Sequence, residues 1–266
     1  MDNVRIPVLP YRGEIFEEVR YANFLEKTGY TTTPLPMKIL SFGGCNYSCT
    51  YCKRNGHSKE GKYIKGSVWV EFSEIARKVN KHLRQGYTIR LSGGDPCCFK
   101  GVTKVIARYV KKKGGRVSIA HNGSDPEFVQ QLIDYTDFWA IDLKSIRPDR
   151  FRRITGTGNK SNEYLNNTLM SISLVSWYDI PVEVRTIIFD DTEESELIEI
   201  AKFLKSCANL NLYWTLRLYK GQAAGKFKPP ELTKVTDMAR RIKEAYPVLK
   251  IGIRKNWNGE SGLLTI

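Results

Sequence analysis

The 266-residue sequence has no stretch of about 18 uninterrupted apolar residues, so it predicts no transmembrane helix. Residues 1–5 show neither a basic leader nor an apolar core, and no signal peptide is expected. Internal repeats and low-complexity tracts are also missing. These absences favour a cytoplasmic protein that does not associate with a membrane.

Cysteine is scarce, with six residues in the whole chain, and five of them are clustered. Cys45, Cys49 and Cys52 lie within eight residues, and Cys97 and Cys98 are adjacent. This is too few and too clustered for a secreted disulfide scaffold. In a reducing compartment such clustering indicates ligation of a metal or of a metal cluster.

Acidic residues are fewer than basic ones: the chain has 28 Asp and Glu and 42 Lys and Arg, which gives a formal net charge of +14. A basic surface is compatible with nucleic acid, an acidic protein partner or an anionic cofactor. It is equally compatible with an ordinary solvated surface, because net charge reports on association and not on fold.

Short apolar runs bounded by Gly, Pro, Asn or Asp alternate with helical periodicity. The predicted strands are 38–42, 88–92, 116–120, 138–142, 182–188, 213–218 and 249–253; helical faces occur around 75–83, 105–110, 197–204 and 238–245. Strands separated by helices predict a parallel sheet with right-handed crossovers. We therefore expect an α/β protein, a partial (β/α)6-type parallel barrel spanning residues 37–255. An N-terminal extension (1–36) precedes it and a C-terminal tail (256–266) follows.

The three clustered cysteines, spaced Cys-x3-Cys-x2-Cys, directly follow the first barrel strand. They are therefore expected at the carboxyl end of that strand, where barrels carry their chemistry. Three thiolates on a four-iron cluster leave one iron open to another ligand. The alternative is zinc, with His57 or Cys97 as a fourth ligand. Zinc motifs more often contain two Cys-x2-Cys pairs, and a second pair is missing here.

Residues 45–52, Cys-Asn-Tyr-Ser-Cys-Thr-Tyr-Cys, resemble the signature loop of the radical S-adenosylmethionine (SAM) superfamily. The resemblance implies that Cys45, Cys49 and Cys52 hold a [4Fe-4S] cluster whose open iron is chelated by the methionine end of SAM. It further implies reductive cleavage of SAM to a 5′-deoxyadenosyl radical that abstracts hydrogen from a substrate. Tyr51 would then lie beside the adenine.

A second motif, Ser-Gly-Gly-Asp-Pro at residues 92–96, follows the second strand. Gly93 and Gly94 would let the backbone approach a ligand closely, and Asp95 would accept a hydrogen bond from an ammonium group. The segment resembles that of the activating enzymes of anaerobic ribonucleotide reductase, which implies binding of the methionine amino group. The alternative is a plain strand-to-helix turn.

Three further strand segments resemble glycyl-radical activating enzymes. Asn122 lies in a His-Asn-Gly turn similar to their Thr-Asn-Gly, and Asp142 and Lys144 lie in Ile-Asp-Leu-Lys, similar to their Leu-Asp-Leu-Lys. Being two residues apart in a strand, Asp142 and Lys144 share a face. Lys144 would meet the methionine carboxylate, and Asp142 a ribose hydroxyl, a substrate or a cation. The alternative for this pair is an exposed ion pair that contributes little.

The third segment contains Arg185, which resembles the arginine in the Ile-Arg-Tyr strand of pyruvate formate-lyase activating enzyme. It is expected to face the barrel interior, with the methionine carboxylate as its anionic partner; an outward orientation is the alternative. The chain departs from the activating enzymes at Ala120, where they carry Asp, and at Leu-Tyr-Lys (218–220), where they carry Pro-Tyr-His. The cation site and the activation of a glycyl-radical enzyme are therefore left open.

The remaining candidates have simpler interpretations. Cys97 and Cys98 are expected to be small buried residues at a helix start rather than reactive thiols. Cys207 is expected in the core, His82 in ordinary packing, and His121 beside the cofactor.

The resulting hypothesis is a radical SAM enzyme similar to the activases. Its expected partners are an electron donor of flavodoxin or ferredoxin type and a glycyl-radical enzyme. Two alternatives are a radical enzyme acting on RNA, a nucleobase or another small molecule, and a zinc- or cluster-stabilised nucleic-acid-binding module without catalysis. Substrate choice is assigned to the extension, to the loop 54–67 and to the segment after residue 219, where no motif is recognisable.

Overall fold

The computed structural model describes residues 4–19, 36–52, 54, 63–207, 211–221, 227–255 and 262–266. The strands are β1 (Arg5–Val8), β2 (Phe16–Val19), β3 (Met37–Phe42), β4 (Val68–Glu71), β5 (Thr88–Gly93), β6 (Val117–His121), β7 (Phe138–Asp142), β8 (Val182–Ile188), β9 (Leu212–Leu218), β10 (Lys250–Arg254) and β11 (Leu263–Thr265). The helices are α1 (Phe72–Arg84), α2 (Lys100–Lys112), α3 (Pro126–Leu132), α4 (Pro148–Thr155), α5 (Ser161–Trp177), α6 (Glu194–Cys207) and α7 (Leu232–Ala245). Short 3-10 turns occupy Pro96–Phe99, Ile133–Tyr135 and Gly158–Lys160.

All of these strands belong to one sheet, and its centre is parallel. The parallel strands run in the order β3-β5-β6-β7-β8-β9-β10, each joined to the next through a helix-containing connection. In the part of the chain that the structure describes, the two ends of the sheet, β4 and β11, do not pair with each other. The predicted α/β fold with an open, partial barrel is confirmed.

The two faces of the parallel strands differ in chemistry. On one face, residues such as Val184, Leu216 and Ile253 join a large apolar core with Ile200 of α6 and Met238 of α7. The opposite face, which we call the inner face, carries a small apolar cluster of Met37, Phe138 and Tyr213, near the amino ends of their strands, with Leu263 of β11. Beyond this cluster, toward the carboxyl ends, the inner face becomes polar and charged.

Segments on both sides of the predicted domain boundaries contribute to the same sheet. β1 pairs antiparallel with β4 and, through Val8 and Phe42, with β3; β2 pairs antiparallel with β3. At the other end, β11 pairs antiparallel with β10. The boundaries at residues 36 and 255 stay predictions, and much of the extension and of the tail lies outside the described residues.

Three helices, α3, α4 and α5, were not anticipated from the apolar periodicity. α3 and α4 begin with Pro126 and Pro148, which suit a first helical turn. In α5 the buried stripe mixes Leu165 and Ile172 with Thr168 and Ser171, so its apolar pattern is interrupted. These polar residues reach the end of β6: the Thr168 and Ser171 hydroxyls donate to the carbonyls of residues 122 and 123, at 3.3 and 2.9 Å.

Among the described residues, no helix combines the length and the apolarity that crossing a membrane requires.

Candidate active site

The loop that carries Cys45, Cys49 and Cys52 leaves the carboxyl end of β3 and is fixed in place by the end of α4. The Ser48 and Thr50 amides donate to the carbonyls of Thr155 and Ile154, at 3.0 and 3.1 Å. Gly156 then adopts φ +63°, and a Cβ at this position would lie 2.6 Å from the Ser48 carbonyl oxygen. The last carbonyls of a helix lack intrahelical partners, so the loop supplies the donors that α4 needs.

The three thiols are shielded from solvent, Cys49 most of all, with Cys45 and Cys52 half-buried. Two of the sulfurs accept from backbone amides: the Tyr47 N–H donates to Cys45 Sγ (3.5 Å) and the Arg54 N–H to Cys52 Sγ (3.4 Å). Burial raises the pKa of the Cys45 thiol well above its ordinary value and that of Cys49 to about 11. Such thiols stay protonated at neutral pH unless a metal replaces the proton.

The fourth ligand of the zinc alternative receives no support from the described residues. His57 lies outside them, and Cys97 Sγ contacts the Ser124 hydroxyl at 3.8 Å.

The paired glycines bring the end of β5 against the cysteine loop. A Cβ on Gly94 would lie 1.9 Å from the Gly44 carbonyl oxygen, and one on Gly93, at φ +112°, would lie 2.3 Å from the Phe42 amide nitrogen. A backbone hydrogen bond joins the two segments at this point, with the Asp95 N–H donating to the Gly44 carbonyl at 2.6 Å. Sequence analysis attributed these glycines to close approach of a ligand; the structure shows that they also permit close approach of the loop that holds the thiols.

Replacing Gly94 by alanine is therefore expected to displace the cysteine loop without removing a ligand. A contact of 1.9 Å with backbone cannot be relieved by a side-chain rotation, so we expect at least about a tenfold loss of iron loading, equivalent to about 1.4 kcal/mol. Gly101→Ala is the matched control, because a Cβ there meets nothing within 4 Å on helix α2. Iron content after anaerobic reconstitution is the measurement; normal loading of Gly94→Ala would contradict the argument.

Asp95 is buried and lies at the centre of a polar network. Its carboxylate accepts from the amides of Cys97 (3.0 Å) and Asn122 (2.7 Å), and its Oδ1 lies 2.8 Å from His121 Nδ1. Since the Asp125 amide donates to His121 Nε2 (3.3 Å), the proton of a neutral His121 lies on Nδ1 and is donated to Asp95. The carboxylate is thus oriented from three directions.

This network also brings together the ligand-type atoms of Asp95, Cys97 and His121, all within 4.8 Å of one another. Both ring nitrogens of His121 are engaged in hydrogen bonds, so the geometry fits a hydrogen-bonded cluster rather than a second metal site.

Asn122 joins the end of β6 to the cysteine loop through Asn46, a residue that sequence analysis did not single out. The Asn122 side-chain amide donates to Asn46 Oδ1, and that of Asn46 donates to the Ser124 hydroxyl, both at 2.7 Å. The Ser124 amide donates back to Asn122 Oδ1 at 3.0 Å. The position of Asn46 within the cysteine signature was the available signal.

Asp142, Lys144, Arg185 and Tyr51 form one cluster on the inner face, with Lys144 buried and the other three half-buried. β7 and β8 pair Asp142 with Arg185, and Arg185 Nε lies 2.6 Å from Asp142 Oδ1. Lys144 Nζ donates to Asp142 Oδ2 (3.0 Å) and to the Tyr51 hydroxyl (2.9 Å). The Lys144 side chain is 7% exposed and that of Asp142 20%, so the pair is largely shielded from solvent and is not an exposed strand-end pair.

The charged groups in this cluster stabilise one another's ionised forms. Burial by itself would raise the pKa of Asp142, but the Arg185 and Lys144 charges outweigh it and hold that pKa below its ordinary value. Burial would likewise lower the pKa of Lys144, yet Asp142 and Tyr51 raise it well above its ordinary value. Asp142 is ionised and Lys144 protonated at neutral pH.

An aromatic wall, defined as Tyr51, Phe189, Tyr219 and Phe227, borders this cluster. The ring of Tyr51 meets those of Phe189 and Tyr219 edge-on, with centroids 5.5 and 6.3 Å apart, and Phe189 stacks on Phe227 at 4.0 Å. Phe189 and Phe227 were missed by sequence analysis because no motif contains them and only the fold brings them to Tyr51.

Further charged residues on the inner face also escaped the sequence analysis: Arg90, Glu183, Arg217 and Arg254. Each is a charged residue in an otherwise apolar strand, the same signal that singled out Arg185.

The other candidates have ordinary environments. Cys97 is buried as expected, but Cys98 is exposed, so its interpretation as a buried residue was wrong. Cys207 is half-buried at the last position of α6, with Sγ 3.3 Å from the Ser173 hydroxyl. His82 packs edge-on against Phe16 and Tyr87, as expected.

Comparison with known proteins gives a consistent picture. The family model described as the radical SAM superfamily matches residues 39–204. A Methanocaldococcus jannaschii protein, provisionally named a glycyl-radical enzyme activating enzyme, is 34% identical over 172 residues, 64% of this chain and 68% of that protein. The Clostridium perfringens GTP 3′,8-cyclase is 23% identical over 238 residues, 86% of this chain and 68% of the cyclase. The pyruvate formate-lyase-activating enzyme of Clostridium pasteurianum is 21% identical over 192 residues, 70% and 76% of the two chains.

Among solved structures, SuiB of Streptococcus suis bound to S-adenosylmethionine superimposes with a TM-score of 0.61 at 11% identity. The match covers 79% of this chain but only 48% of SuiB, so this chain spans about half the length of that protein. At this identity the superposition establishes a shared fold.

Proposed function

Because this chain belongs to the radical SAM superfamily, it is an enzyme that uses a [4Fe-4S] cluster and S-adenosylmethionine, and we propose that it activates a glycyl-radical enzyme. The observation that supports binding of SAM is the shielded cluster of Tyr51, Asp142, Lys144 and Arg185, whose Lys144 charge also acts on the thiol of Cys49. The relatives from M. jannaschii and C. pasteurianum, both named as activating enzymes, support the choice of target.

The donor set fits an iron–sulfur cluster with one open iron. Cys45, Cys49 and Cys52 are buried or half-buried thiols, and two of them, Cys45 and Cys52, receive amide N–H···S hydrogen bonds. Burial raises the pKa of Cys45 and Cys49, so these two thiols ionise at neutral pH only when a metal replaces the proton. Such hydrogen bonds and the surrounding burial are the means by which a protein tunes the reduction potential of a cluster. The cluster and SAM, when bound, supply one-electron cleavage of the sulfonium bond and a carbon radical that abstracts hydrogen.

Residues of the chain would then bind and orient the methionine end of SAM. Lys144 has three N–H donors, of which Tyr51 and Asp142 take two, and the third is available to a carboxylate. Asp95 Oδ2 accepts from the Asn122 amide and, with a second lone pair, would accept from the methionine ammonium group.

The aromatic wall would bind the nucleoside end. Tyr51 is the half-buried ring that would contact a purine, and the buried rings of Phe189 and Tyr219 support it from behind by edge-on contacts. The hydroxyl of Tyr51 is fixed by Lys144, so the same residue links the adenine surface to the carboxylate site.

The test has two stages. After anaerobic reconstitution with iron and sulfide, reduction with dithionite in the presence of SAM is expected to give 5′-deoxyadenosine, detected by chromatography. Cys45→Ala is expected to give none. Adding a glycyl-radical enzyme from the same organism is then expected to produce the doublet of a glycyl radical in electron paramagnetic resonance.

The outcomes separate the parts of the proposal. Protein that binds zinc tightly and never takes up iron would contradict the cluster assignment. Cleavage of SAM without a glycyl radical in any such partner would reject the activase role. Replacing dithionite by reduced flavodoxin or ferredoxin tests the proposed electron donor.

The second candidate is a radical enzyme acting on a small molecule or on RNA. The similarity to GTP 3′,8-cyclase over 86% of this chain favours it, as does the departure from the activases at Ala120 and Lys220. A product formed from a nucleotide or RNA, with no glycyl radical, would establish it. The third hypothesis, a binding module without catalysis, is not retained, because the family is enzymatic.

A further inference from the structure

Four aromatic rings lie in series between the core and the surface beside the cysteine loop. Phe42, the last residue of β3, is fully buried and stacks on Phe99, with ring centroids 5.7 Å apart. Phe99 stacks on Tyr63 at 6.4 Å, and Tyr63 meets Trp69 of β4 edge-on at 5.1 Å. Trp69 is 52% exposed. We call these four residues the ring series; it connects the strand that leads into the cysteine loop with the solvent.

The chain segment at the exposed end of the ring series is bonded to the start of the cysteine loop. The Ile64 N–H donates to the Gly43 carbonyl at 2.7 Å, and the Ser67 hydroxyl lies 3.2 Å from the same carbonyl oxygen. A Cβ on Gly43 would collide with the Ser67 side chain, so the two segments are in direct contact. Gly43 precedes Cys45 by two residues. The surface around Trp69 is therefore packed against the loop that carries the proposed ligands.

Trp69 lies on an exposed edge of the sheet. In the described part of the chain, β4 is the last strand on this side of the sheet, and Val68, next to Trp69, is 42% exposed. Trp and Tyr are enriched among the residues that dominate binding at protein interfaces. The exposed end of the ring series thus has the composition of a protein-binding surface.

The charge around the ring series indicates the kind of partner. Residues 43–70 contain five Lys and Arg and a single acidic residue, Glu60. Of these cations, Lys65 is exposed and lies two residues from Tyr63. Complementary charge steers association, so this surface fits a partner with acidic groups. A second copy of the chain would instead bring like charges face to face, and the exposed aliphatic side chain of Val68 suits a protein better than a nucleic acid.

An electron donor is the acidic protein that suits this position. Electron transfer slows steeply with distance, so a donor has to dock close to the loop that holds the cluster. We propose that Tyr63, Lys65 and Trp69 form the docking surface for a one-electron donor protein whose exposed redox centre is surrounded by acidic groups. This inference rests on the proposed function, since it names the partner surface of the same cluster. In the step that docking serves, the donor is oxidised by one electron and the [4Fe-4S] cluster is reduced by one.

The first test is binding, which does not depend on turnover. Reconstituted holoenzyme is titrated by calorimetry with oxidised flavodoxin and, separately, with oxidised ferredoxin from the same organism. We expect one of the two to bind, more weakly at higher salt, and Trp69→Ala to weaken that binding by about tenfold or more. Trp177→Ala is the matched control, because Trp177 on α5 is 86% exposed and lies outside the proposed surface; it should bind as the wild type does.

A charge reversal tests the same surface without removing a ring. Lys65→Glu is expected to weaken donor binding by about tenfold or more at low salt, and it decides the matter if Trp69→Ala does not fold. Lys112→Glu, at the exposed last position of α2, is its matched control and should bind the donor nearly as the wild type does.

Two reductants separate this inference from the proposed function. With dithionite, a small molecule that needs no docking surface, Trp69→Ala and Lys65→Glu should give as much 5′-deoxyadenosine as the wild type. With the reduced donor, at concentrations below its Kd, their rate should fall about tenfold.

The inference is wrong if neither donor binds, or if the variants that fold bind the donor as the wild type does. It is also wrong if these variants lose only binding of single-stranded RNA or self-association of the chain, or if cleavage driven by dithionite falls as far as cleavage driven by the donor. Failure of the wild type to cleave SAM with dithionite would reject the proposed function instead.

Discussion

Cys49→Ala is expected to lose the iron–sulfur cluster and to show no cleavage of S-adenosylmethionine above background. Cys49 is the middle one of the three proposed ligands and is buried, with 8% exposure. With two thiolates left, the cluster would have two open irons in place of one, and iron–sulfur clusters depend on their thiolate ligands.

The measurements for this variant are iron and sulfide content, visible absorbance and 5′-deoxyadenosine yield. Cys98→Ala is the matched control, because Cys98 is an exposed thiol outside the triad and its variant should load iron normally. Far-ultraviolet circular dichroism shows whether the fold is kept. A Cys49→Ala protein that still cleaves SAM would overturn the assignment of the cluster.

Asp142→Asn is expected to be among the most destabilising substitutions on the inner face. It removes the charge that Arg185 and Lys144 share and leaves two shielded cations without their carboxylate. Breaking a buried ion pair from one side costs about 3–5 kcal/mol, and the 20% exposure of the Asp142 side chain points to the lower end of that range. A loss of about 3 kcal/mol corresponds to a fall of roughly 6–12 °C in Tm.

Thermal unfolding monitored by circular dichroism measures this effect. Asp237→Asn is the control, since Asp237 and Arg240 form an exposed pair at 3.7 Å on α7, and its loss should change the free energy of unfolding by less than about 1 kcal/mol. Equal melting temperatures for the two variants would show that the Asp142 cluster is not important for stability.

The same residue has a predicted signature in the pH dependence of stability. The folded-state pKa of Asp142 lies below its unfolded value, so its contribution is complete above the unfolded pKa of about 3.9 and is lost as pH falls through the lower, folded pKa. Between about pH 4 and pH 2, wild type should therefore lose stability more steeply than Asp142→Asn.

The proposed ligands and the fold class could both be predicted from the sequence for a local reason. Cys45, Cys49 and Cys52 lie within eight residues, so the spacing of the motif is itself the geometry of the donor set. Parallel strands bring their carboxyl ends to one edge of a sheet, so residues such as Asp95, Asn122 and Asp142 could be assigned to one site once the strands were recognised. The polar stripe of α5 concealed that helix, because Thr168 and Ser171 interrupt its apolar face.

Sequence by itself thus determined the chemistry available to this protein: a triad of thiols, a strand-end acid–lysine pair and an alternating α/β framework. Tertiary structure decided how these groups are held. The cysteine loop is hydrogen-bonded to the last carbonyls of α4, about a hundred residues away in the sequence. Asn46 is likewise hydrogen-bonded to Asn122, which lies 76 residues further along the chain. Register between β9 and β10 set Arg217 beside Arg254. Such contacts depend on which distant backbone segments pack together, and the spacing of residues within a short motif does not specify this packing.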